Sequence, residues 1–176
     1  AERMIKATQI LEIGKLAKID INRDIRSGIP EIVLAEGKDP DDLVAITKAI
    51  LKEKGRVIIS RTSDSHVNAI LENLSTEDSI VNVNKKAKMI VVKNKNFKTS
   101  KLGRKVGIIA AGTSDIPVAE EAKTILEELG CDVITEYDVG IAGPHRLFFA
   151  LKKVVEENVD VIIAVAGMEG ALPSVV

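Results

Sequence analysis

The stretch Lys105–Pro117, KVGIIAAGTSDIP, predicts the fold of the chain around it. Its apolar run Val106–Ala111 has no polar alternation, which is typical of a strand buried on both faces of a sheet. Gly112 ends the run, and Ser114 or Asp115 can then cap a helix that has a proline in its first turn. A strand, a glycine turn and free helix amides can bind an anion, although helix capping alone would account for the same residues.

Two later stretches also place polar residues directly after an apolar run. Asp132–Gly140 leads into Gly143–Arg146, and Val159–Ala166 leads into Gly167–Gly170. The alternation of strand and helix predicts parallel strands with right-handed crossovers, so the three turns are expected at the carboxyl edge of one sheet. Because open α/β sheets bind ligands at that edge, three polar turns there favour a binding site over capping alone.

The composition is typical of a globular α/β protein. Of the 176 residues 45% are hydrophobic and 2% aromatic, and the 26 acidic residues nearly balance the 25 basic ones. The sequence therefore offers neither stacking platforms nor a basic field, which argues against nucleic acid or a membrane as partners. No apolar run is long enough to span a membrane, and the single cysteine excludes an intramolecular disulfide. These features predict a cytoplasmic protein.

The chain is predicted to consist of an arm and two domains. Residues 1–28 form an N-terminal arm, with weak helical spacing of apolar residues over Met4–Ala17. Residues 29–100 form a small α/β domain, and residues 101–176 a parallel α/β domain. The basic stretch Lys93–Lys105 is interpreted as the linker, with a phosphate-binding flap as the alternative. Because a three-stranded sheet would expose an apolar edge, we expect either a further C-terminal segment after Ala171–Val176 or cover from a symmetry partner.

An internal echo connects the two domains. Residues 56–74, RVIISRTSDSHVNAILENL, and residues 105–129, KVGIIAAGTSDIPVAEEAKTILEEL, share the order strand, Thr-Ser-Asp, helix. Capping chemistry can place one tripeptide at two helix starts, so the echo is interpreted as coincidence unless the two units superpose. His66 lies one turn into the first helix and is predicted to be exposed.

The C-terminal turns resemble those of the PurE-type carboxylase superfamily. Its members carry a Ser-Asp turn, a Ser-Ala-His-Arg turn and a Gly-Ala-Gly-Gly-Ala-Ala-His-Leu-Pro turn. Three pairs match these turns in order and spacing: Ser114-Asp115, His145-Arg146 and Leu172-Pro173. Four residues depart from the purine enzymes: Gly143, Pro144, Glu169 and Ala171.

These departures are similar to the LarB branch of the superfamily. The resemblance is carried by GTSDIPVAEEA (112–122), YDVGIAGPHR (137–146) and VAGMEGALPSVV (165–176), with GIPEIVLAEGK (28–38) similar as well. It covers nearly the whole chain from about Asp24. It implies a three-layer α/β/α fold with a PurE-like and flavodoxin-like parallel sheet, preceded by a smaller N-terminal α/β domain.

The resemblance also implies an activity. LarB enzymes carboxylate the pyridinium ring of nicotinic acid adenine dinucleotide with CO₂ and hydrolyse its phosphoanhydride. The products are AMP and pyridinium-3,5-biscarboxylic acid mononucleotide, in the first step of nickel-pincer nucleotide synthesis. The implied partners are this dinucleotide, CO₂ or bicarbonate, Mg²⁺ for the hydrolysis, and copies of the chain in a homo-octamer. The alternatives are an aminoimidazole ribonucleotide carboxylase of purine synthesis, disfavoured by Glu169 and Ala171, and a non-catalytic nucleotide-binding regulator.

The resemblance and the positions of the turns suggest roles for the candidate residues. Glu169 is the candidate base that removes the ring proton, and His145 is either an acid/base group or a phosphate-orienting group. Arg146 is expected to hold a phosphate, and Asp115 to bind ribose hydroxyls or Mg²⁺. The other candidates for substrate and phosphate binding are Gly112, Thr113, Ser114, Gly167, Met168 and Gly170.

The implied chemistry needs a cysteine thiolate that adds to the pyridinium ring and makes it a nucleophilic enamine. Cys131 follows Glu-Leu-Gly at the amino end of a predicted strand, opposite the ligand edge. It is therefore predicted to be a small buried hydrophobic residue. The resemblance implies that the nucleophilic cysteine follows the GMEGALP turn, in a further C-terminal segment.

Overall fold

The chain folds into two compact units, Ala1–Lys98 and Thr99–Val176. The computed structural model describes residues 10–14, 16–75, 77–167 and 170–176. Residues 95–104 connect the last strand of the first unit to the first strand of the second, with no regular helix or strand between them. Among the described residues, none of the helices has both the length and the apolar character needed to cross a membrane.

The N-terminal unit is built on a four-stranded mixed sheet with the order β3-β4-β6-β5. Its strands are β3 (Ile32–Leu34), β4 (Arg56–Ser60), β5 (Ser79–Asn84) and β6 (Met89–Asn94). β3 and β4 are parallel, and the other neighbours are antiparallel. The crossover between the parallel pair is helix α2 (Pro40–Lys54), which begins where the Asp39 carboxylate accepts from the Asp41 N–H and ends at Gly55 in the left-handed region.

The apolar faces of α2 and of α3 (Asp64–Leu74) form the core of this unit with the sheet. Two short strands, β1 (Leu11–Ile13) and β2 (Ala17–Ile19), make an antiparallel hairpin that packs on the same core, and α1 (Arg23–Ser27) follows it. The helical pattern predicted for Met4–Ala17 is therefore wrong over residues 11–13 and at Ala17, which begins β2. Residues 1–9 of the predicted arm lie outside the described residues. Packing of alternate apolar residues against the core overrides the weak local helical pattern.

The C-terminal unit has a parallel three-stranded sheet with the order β8-β7-β9. Its elements are β7 (Lys105–Ala110), α4 (Ile116–Glu128), β8 (Asp132–Glu136), α5 (Pro144–Glu156) and β9 (Val161–Val165). Ile109 on one face of β7 packs with α5, whereas Ile108 and Ala110 on the other face pack with α4. The predicted three-layer α/β/α fold with a preceding N-terminal α/β region is confirmed; the N-terminal unit, however, is not the smaller of the two in this chain.

The helix α5 approaches the central strand at Gly107. A Cβ at this position would lie 2.9 Å from the Val154 Cγ1 atom, closer than side-chain contacts allow. The glycine therefore permits the helix to lie close to the sheet, and Val154 is fully buried there.

Candidate active site

A cavity of about 610 Å³ opens at the carboxyl edge of the parallel sheet. Its lining comes from the segments that follow the three strands: 111–112 and 114–115 after β7, 140–142 after β8, and 166–167 and 170–172 after β9. Cavities of this size are typical of small-molecule sites. The topology alone brings these turns together, because the strands are parallel and all end at one edge.

The turn after β7 is closed by two hydrogen bonds between Gly112 and Asp115. The Gly112 N–H donates to the Asp115 Oδ2 atom (2.9 Å), and the Asp115 N–H donates to the Gly112 carbonyl oxygen (3.0 Å). Thr113–Asp115 therefore form a single 3₁₀ turn before α4. The Asp115 side chain closes this turn and does not cap α4, for which no side-chain capping bond is formed. The carboxylate is thus held at the cavity wall.

Two glycines bring the other turns close to this one. A Cβ on Gly167 would lie 3.0 Å from the Asp115 Oδ1 atom, and a Cβ on Gly140 would lie 3.0 Å from the Ala111 carbonyl oxygen. Side chains at either position would press on the turn after β7. The absence of side chains at these positions keeps the three turns within reach of one ligand.

The side chains at the start of α5 lie at the same edge but do not line the cavity. The Arg146 Nη1 atom donates to the Asp138 Oδ2 atom (2.8 Å), and the guanidinium lies against Gly143, where a Cβ would be 2.8 Å from Nε. Asp138 has a left-handed backbone with φ 57°. Both His145 and Arg146 are exposed. The arginine is therefore held beside the cavity by an exposed ion pair.

The carboxyl end of β8 is fixed to both neighbouring helices. The Tyr137 hydroxyl donates to the Glu120 Oε1 atom on α4 (2.9 Å), and the Lys153 Nζ atom on α5 donates to the Glu136 Oε1 atom (2.6 Å). Burial, with a further contribution from Glu120, raises the pKa of the Tyr137 phenol. The Glu136 carboxylate raises the pKa of Lys153. Because both pKa values are raised, the Tyr137 hydroxyl and the Lys153 ammonium keep their protons at neutral pH and remain hydrogen-bond donors. These two hydrogen bonds hold the start of the turn 137–142 in place.

The structure brings some of the predicted site residues together and not others. Five line the cavity: Gly112, Ser114, Asp115, Gly167 and Gly170. Thr113 is exposed on the turn after β7 and does not line it. Two of the predicted residues, Met168 and Glu169, lie outside the described residues.

Cys131 lies directly before β8, at the amino end of the strand and opposite the cavity edge, as predicted. Its side chain is half-buried rather than fully buried as expected.

Sequence reasoning missed Asp138, which positions Arg146, and the lining residues Gly140, Ile141 and Leu172. The signal for Asp138 was present in the Tyr-Asp-Val-Gly stretch, where an acid follows the strand and precedes the Arg146 helix.

The acidic groups of the described residues do not form a preformed metal cage. No cluster of three His, Cys, Asp or Glu side chains able to hold a metal ion is found among residues 10–14, 16–75, 77–167 and 170–176. Asp115 supplies one carboxylate to the cavity wall. One carboxylate together with phosphate oxygens of a ligand is an arrangement that Mg²⁺ accepts.

Comparison with known families matches the chain to two family models. Residues 10–95 match the LarB/PurE-like N-terminal domain, and residues 105–176 match AIR carboxylase. The chain is 49% identical over 182 aligned positions to an uncharacterized protein of Methanocaldococcus jannaschii, covering 99% of this chain and 68% of that protein.

Two mutases are similar to only part of the chain. The chain is 41% identical over 76 residues to the N5-carboxyaminoimidazole ribonucleotide mutase of Thermotoga maritima, covering 41% of this chain and 42% of that protein. It is 40% identical over 75 residues to the same mutase of Pyrococcus horikoshii, covering 40% of each. The chain therefore spans about two thirds of the Methanocaldococcus relative and about two fifths of these mutases.

The parallel sheet with a cavity at its carboxyl edge, together with the AIR carboxylase match, defines the class as PurE/AIR carboxylase-like, which indicates a carboxylase or mutase. Residues 10–95 also match the LarB/PurE-like N-terminal domain, whereas the alignments with the two mutases cover only about two fifths of this chain. The chain belongs to the LarB family of the PurE/AIR carboxylase superfamily.

Proposed function

We propose that this protein carboxylates the pyridinium ring of nicotinic acid adenine dinucleotide and hydrolyses its phosphoanhydride. The products are pyridinium-3,5-biscarboxylic acid mononucleotide and AMP, as the resemblance to LarB enzymes implies. The observation that carries the proposal is the cavity wall at Ala171, because the resembling purine enzymes have a histidine at this position. The family match over residues 10–95 supports the same choice.

In the proposed reaction, carboxylation of the ring takes place in three steps. A cysteine thiolate adds to a carbon of the cationic ring, which becomes a neutral enamine. The enamine carbon then attacks CO₂, forming the new carbon–carbon bond and restoring a cationic ring system. A base removes the proton from the same carbon, and the thiolate leaves with its electron pair as the ring becomes aromatic again.

Particular residues of this chain are proposed for the roles that these steps require. Glu169 is proposed as the base, and His145 as a further acid/base group or as a group that orients a phosphate. Arg146 is proposed to exchange Asp138 for a substrate phosphate, because an exposed ion pair contributes little and is easily replaced. Gly112, Thr113, Ser114, Gly167, Met168 and Gly170 are proposed to contact the substrate.

Cys131 does not suit the role of nucleophile, because it lies at the sheet edge opposite the cavity. We therefore propose that another cysteine supplies the thiolate. The resemblance places that cysteine after the sequence motif of residues 167–173, GMEGALP.

For the hydrolysis we propose Mg²⁺, held by Asp115 and by the phosphates of the substrate. The ion would neutralise charge on the diphosphate as it is attacked by water. The Asp115 carboxylate is pre-positioned for this by the Gly112 N–H.

We also propose that the chain assembles as a homo-oligomer, an octamer by resemblance. Three apolar side chains on α5 are strongly exposed: Phe148 (69%), Phe149 (74%) and Val155 (68%). An apolar cluster of this kind on a folded unit is typical of a surface covered by a protein partner.

Substrate choice separates the alternatives. The full-length protein is incubated with bicarbonate and Mg²⁺, and with either nicotinic acid adenine dinucleotide or aminoimidazole ribonucleotide. We expect only the dinucleotide to be consumed. Consumption of the ribonucleotide instead would establish the purine carboxylase alternative, and binding of the dinucleotide without consumption would establish the regulator.

A further inference from the structure

A second polar site lies in the N-terminal unit, where β4 ends and α3 begins. Two cavities of about 440 and 290 Å³ open there, and both are lined by Thr62, Ser63 and Lys88. The proposed carboxylation uses none of these residues. The site contains the first Thr-Ser-Asp of the internal echo, so its local geometry can be compared with that of the second.

The turn is fixed by His66, which is buried. The prediction that this histidine is exposed is therefore wrong. The ring Nδ1 atom accepts from the Ser63 N–H (3.2 Å), and the Nε2 atom donates to the Lys38 carbonyl oxygen (2.9 Å). This pattern assigns the neutral Nε2–H tautomer. Ser63 caps α3 in turn, since its hydroxyl oxygen accepts from the His66 N–H (3.4 Å). The histidine therefore holds the helix start rigidly.

This turn differs from its echo. In the second unit Thr113–Asp115 form a 3₁₀ turn that Asp115 closes, whereas here Ser63 caps α3 and Asp64 is already the first helical residue. The two tripeptides are not equivalent in local structure, which agrees with the interpretation of the echo as coincidence. The anion-binding capacity of the first turn therefore depends on its own residues.

The first-turn amides of α3 and the Thr62 hydroxyl point to an anionic ligand. The 11-residue helix leaves N–H groups of its first turn without intrahelical acceptors, and these carry partial positive charge. Thr62 is only 7% exposed and lines both cavities, yet its hydroxyl has no hydrogen-bond partner among the described residues. Its oxygen is not one of the fully buried, unpartnered atoms of the described residues, so a ligand in either cavity can reach this hydroxyl and accept a hydrogen bond from it.

The charges around the cavities favour a phosphoryl group. Lys88 lines both cavities and Lys85 lines one, and neither ammonium forms an ion pair with any described residue. Arg61 also lines the larger cavity, where its Nη1 atom pairs with the Glu36 Oε2 atom (2.8 Å). Asp64 is the acid on the other side. The cations exceed the acids, and they surround a helix N-terminus, which is a favourable environment for phosphate.

We propose that this turn, with Thr62, Lys88 and the first amides of α3, binds a phosphate group, either free or carried by a nucleotide. The site is independent of the carboxylation cavity, and its test does not depend on catalysis. Amide chemical shifts of the full-length protein are followed by NMR during titration with inorganic phosphate, AMP or adenosine at constant ionic strength. We expect saturable shifts of residues 62–66 with phosphate or AMP and none with adenosine.

Four variants test the residues. Lys88→Gln is expected to weaken phosphate or AMP binding roughly tenfold or more, the scale of one charge-assisted hydrogen bond. Thr62→Val should weaken it about fivefold to tenfold, whereas Thr62→Ser, which keeps the hydroxyl, should bind nearly as the native protein does. Lys86→Gln is the matched control, because Lys86 is exposed on the same turn but lines neither cavity.

The readouts distinguish the sources of phosphate. Equal affinity for phosphate and AMP would identify the phosphoryl group alone as the ligand, and tighter binding of AMP would identify a nucleotide; both support the site. The proposal is overturned if neither ligand shifts residues 62–66. It is equally overturned if Lys86→Gln weakens binding as much as Lys88→Gln, since the effect would then be general charge screening.

Discussion

The Arg146 guanidinium is held in place by Asp138 and not by the cavity wall. Both partners are exposed, so the ion pair is weak and can be exchanged for a substrate phosphate without a large cost. A bidentate contact to phosphate would be stronger than the single contact to Asp138. At the residue scale we therefore propose that Arg146 holds the substrate and that a different side chain, Glu169, removes the proton.

Replacing Glu169 by glutamine tests the proton-removal role. The amide cannot act as a base, so we expect turnover to fall by roughly 10²–10⁴-fold while substrate affinity changes far less. Arg146→Ala serves as the comparison, because it should mainly weaken binding. Steady-state kinetics and direct binding on the full-length protein measure both quantities. Near-normal carboxylation by Glu169→Gln would rule out the base role, and weak binding with normal turnover at saturation would make Glu169 a substrate-holding residue.

At the scale of elements, the C-terminal unit depends on how closely α5 and β9 approach the central strand β7. Gly107 admits Val154 of α5, and Asp160 joins the amino ends of β9 and β7 through the Lys105 N–H (2.8 Å). Both contacts lie away from the cavity edge. They determine the stability of the sheet that positions the three turns.

Substitution of Gly107 by alanine should lower the free energy of unfolding by about 1–3 kcal/mol, the usual cost of overpacking a core. The added methyl group would overlap the Val154 side chain, which is fully buried. Chemical denaturation of Gly107→Ala, Val154→Ala and the double variant measures the coupling. We expect the double variant to be more stable than the sum of the single changes predicts; strict additivity would show that the two residues do not interact.

Acid should weaken the contact made by Asp160. The hydrogen bond from the Lys105 N–H, and then the ion pair with Arg104, hold the pKa of the Asp160 carboxyl below its usual range. A lowered folded-state pKa stabilises the fold above the unfolded-state pKa, and this stabilisation is lost as the pH falls through the folded-state value. The difference in thermal midpoint between the native protein and Asp160→Asn should therefore be largest near neutral pH and shrink below about pH 4.

The matched control for this experiment is Asp132→Asn. Asp132 is exposed at the start of β8, and its carboxylate has no partner in the part of the chain that the structure describes. A constant difference between native protein and Asp160→Asn across the acid range would contradict the assigned linkage.

At the scale of the whole molecule, the C-terminal architecture could be predicted from local patterns and parts of the N-terminal unit could not. The unbroken apolar run Val106–Ala111 specified a strand covered on both faces, because no polar residue in it could face solvent. The β1–β2 hairpin was missed because its strands are short and are stabilised by packing on a distant core. His66 was misjudged since its acceptor, the Lys38 carbonyl, lies 28 residues away.

The same limit applies to the candidate site. Parallel topology was enough to bring the segments 111–115, 140–142, 166–167 and 170–172 to one cavity. Sequence patterns did not show that Arg146 pairs with Asp138, because the two residues are eight positions apart and the turn between them has no regular helix or strand pattern. Nor did they show that Asp115 closes its own turn.

The proposed assembly depends on the apolar surface of α5. Phe149→Asp places a charge where a partner subunit would bury a ring, so we expect the mass of the full-length protein in light scattering to fall from that of an octamer toward smaller species. Lys101→Ser, an exposed polar change in the segment 95–104 and outside the α5 surface, should leave the mass unchanged. A native protein that is monomeric, or a Phe149→Asp variant with the native mass, would contradict the proposal.

The most direct test of the central claim follows the carboxyl group itself. The full-length protein is incubated with nicotinic acid adenine dinucleotide, isotope-labelled bicarbonate and Mg²⁺, and the products are identified by mass spectrometry. We expect a pyridinium mononucleotide that carries one additional, labelled carboxyl group, together with an equal amount of AMP. Release of AMP without a labelled carboxyl group, or an unchanged dinucleotide, would contradict the assignment of this LarB-family protein as a pyridinium carboxylase.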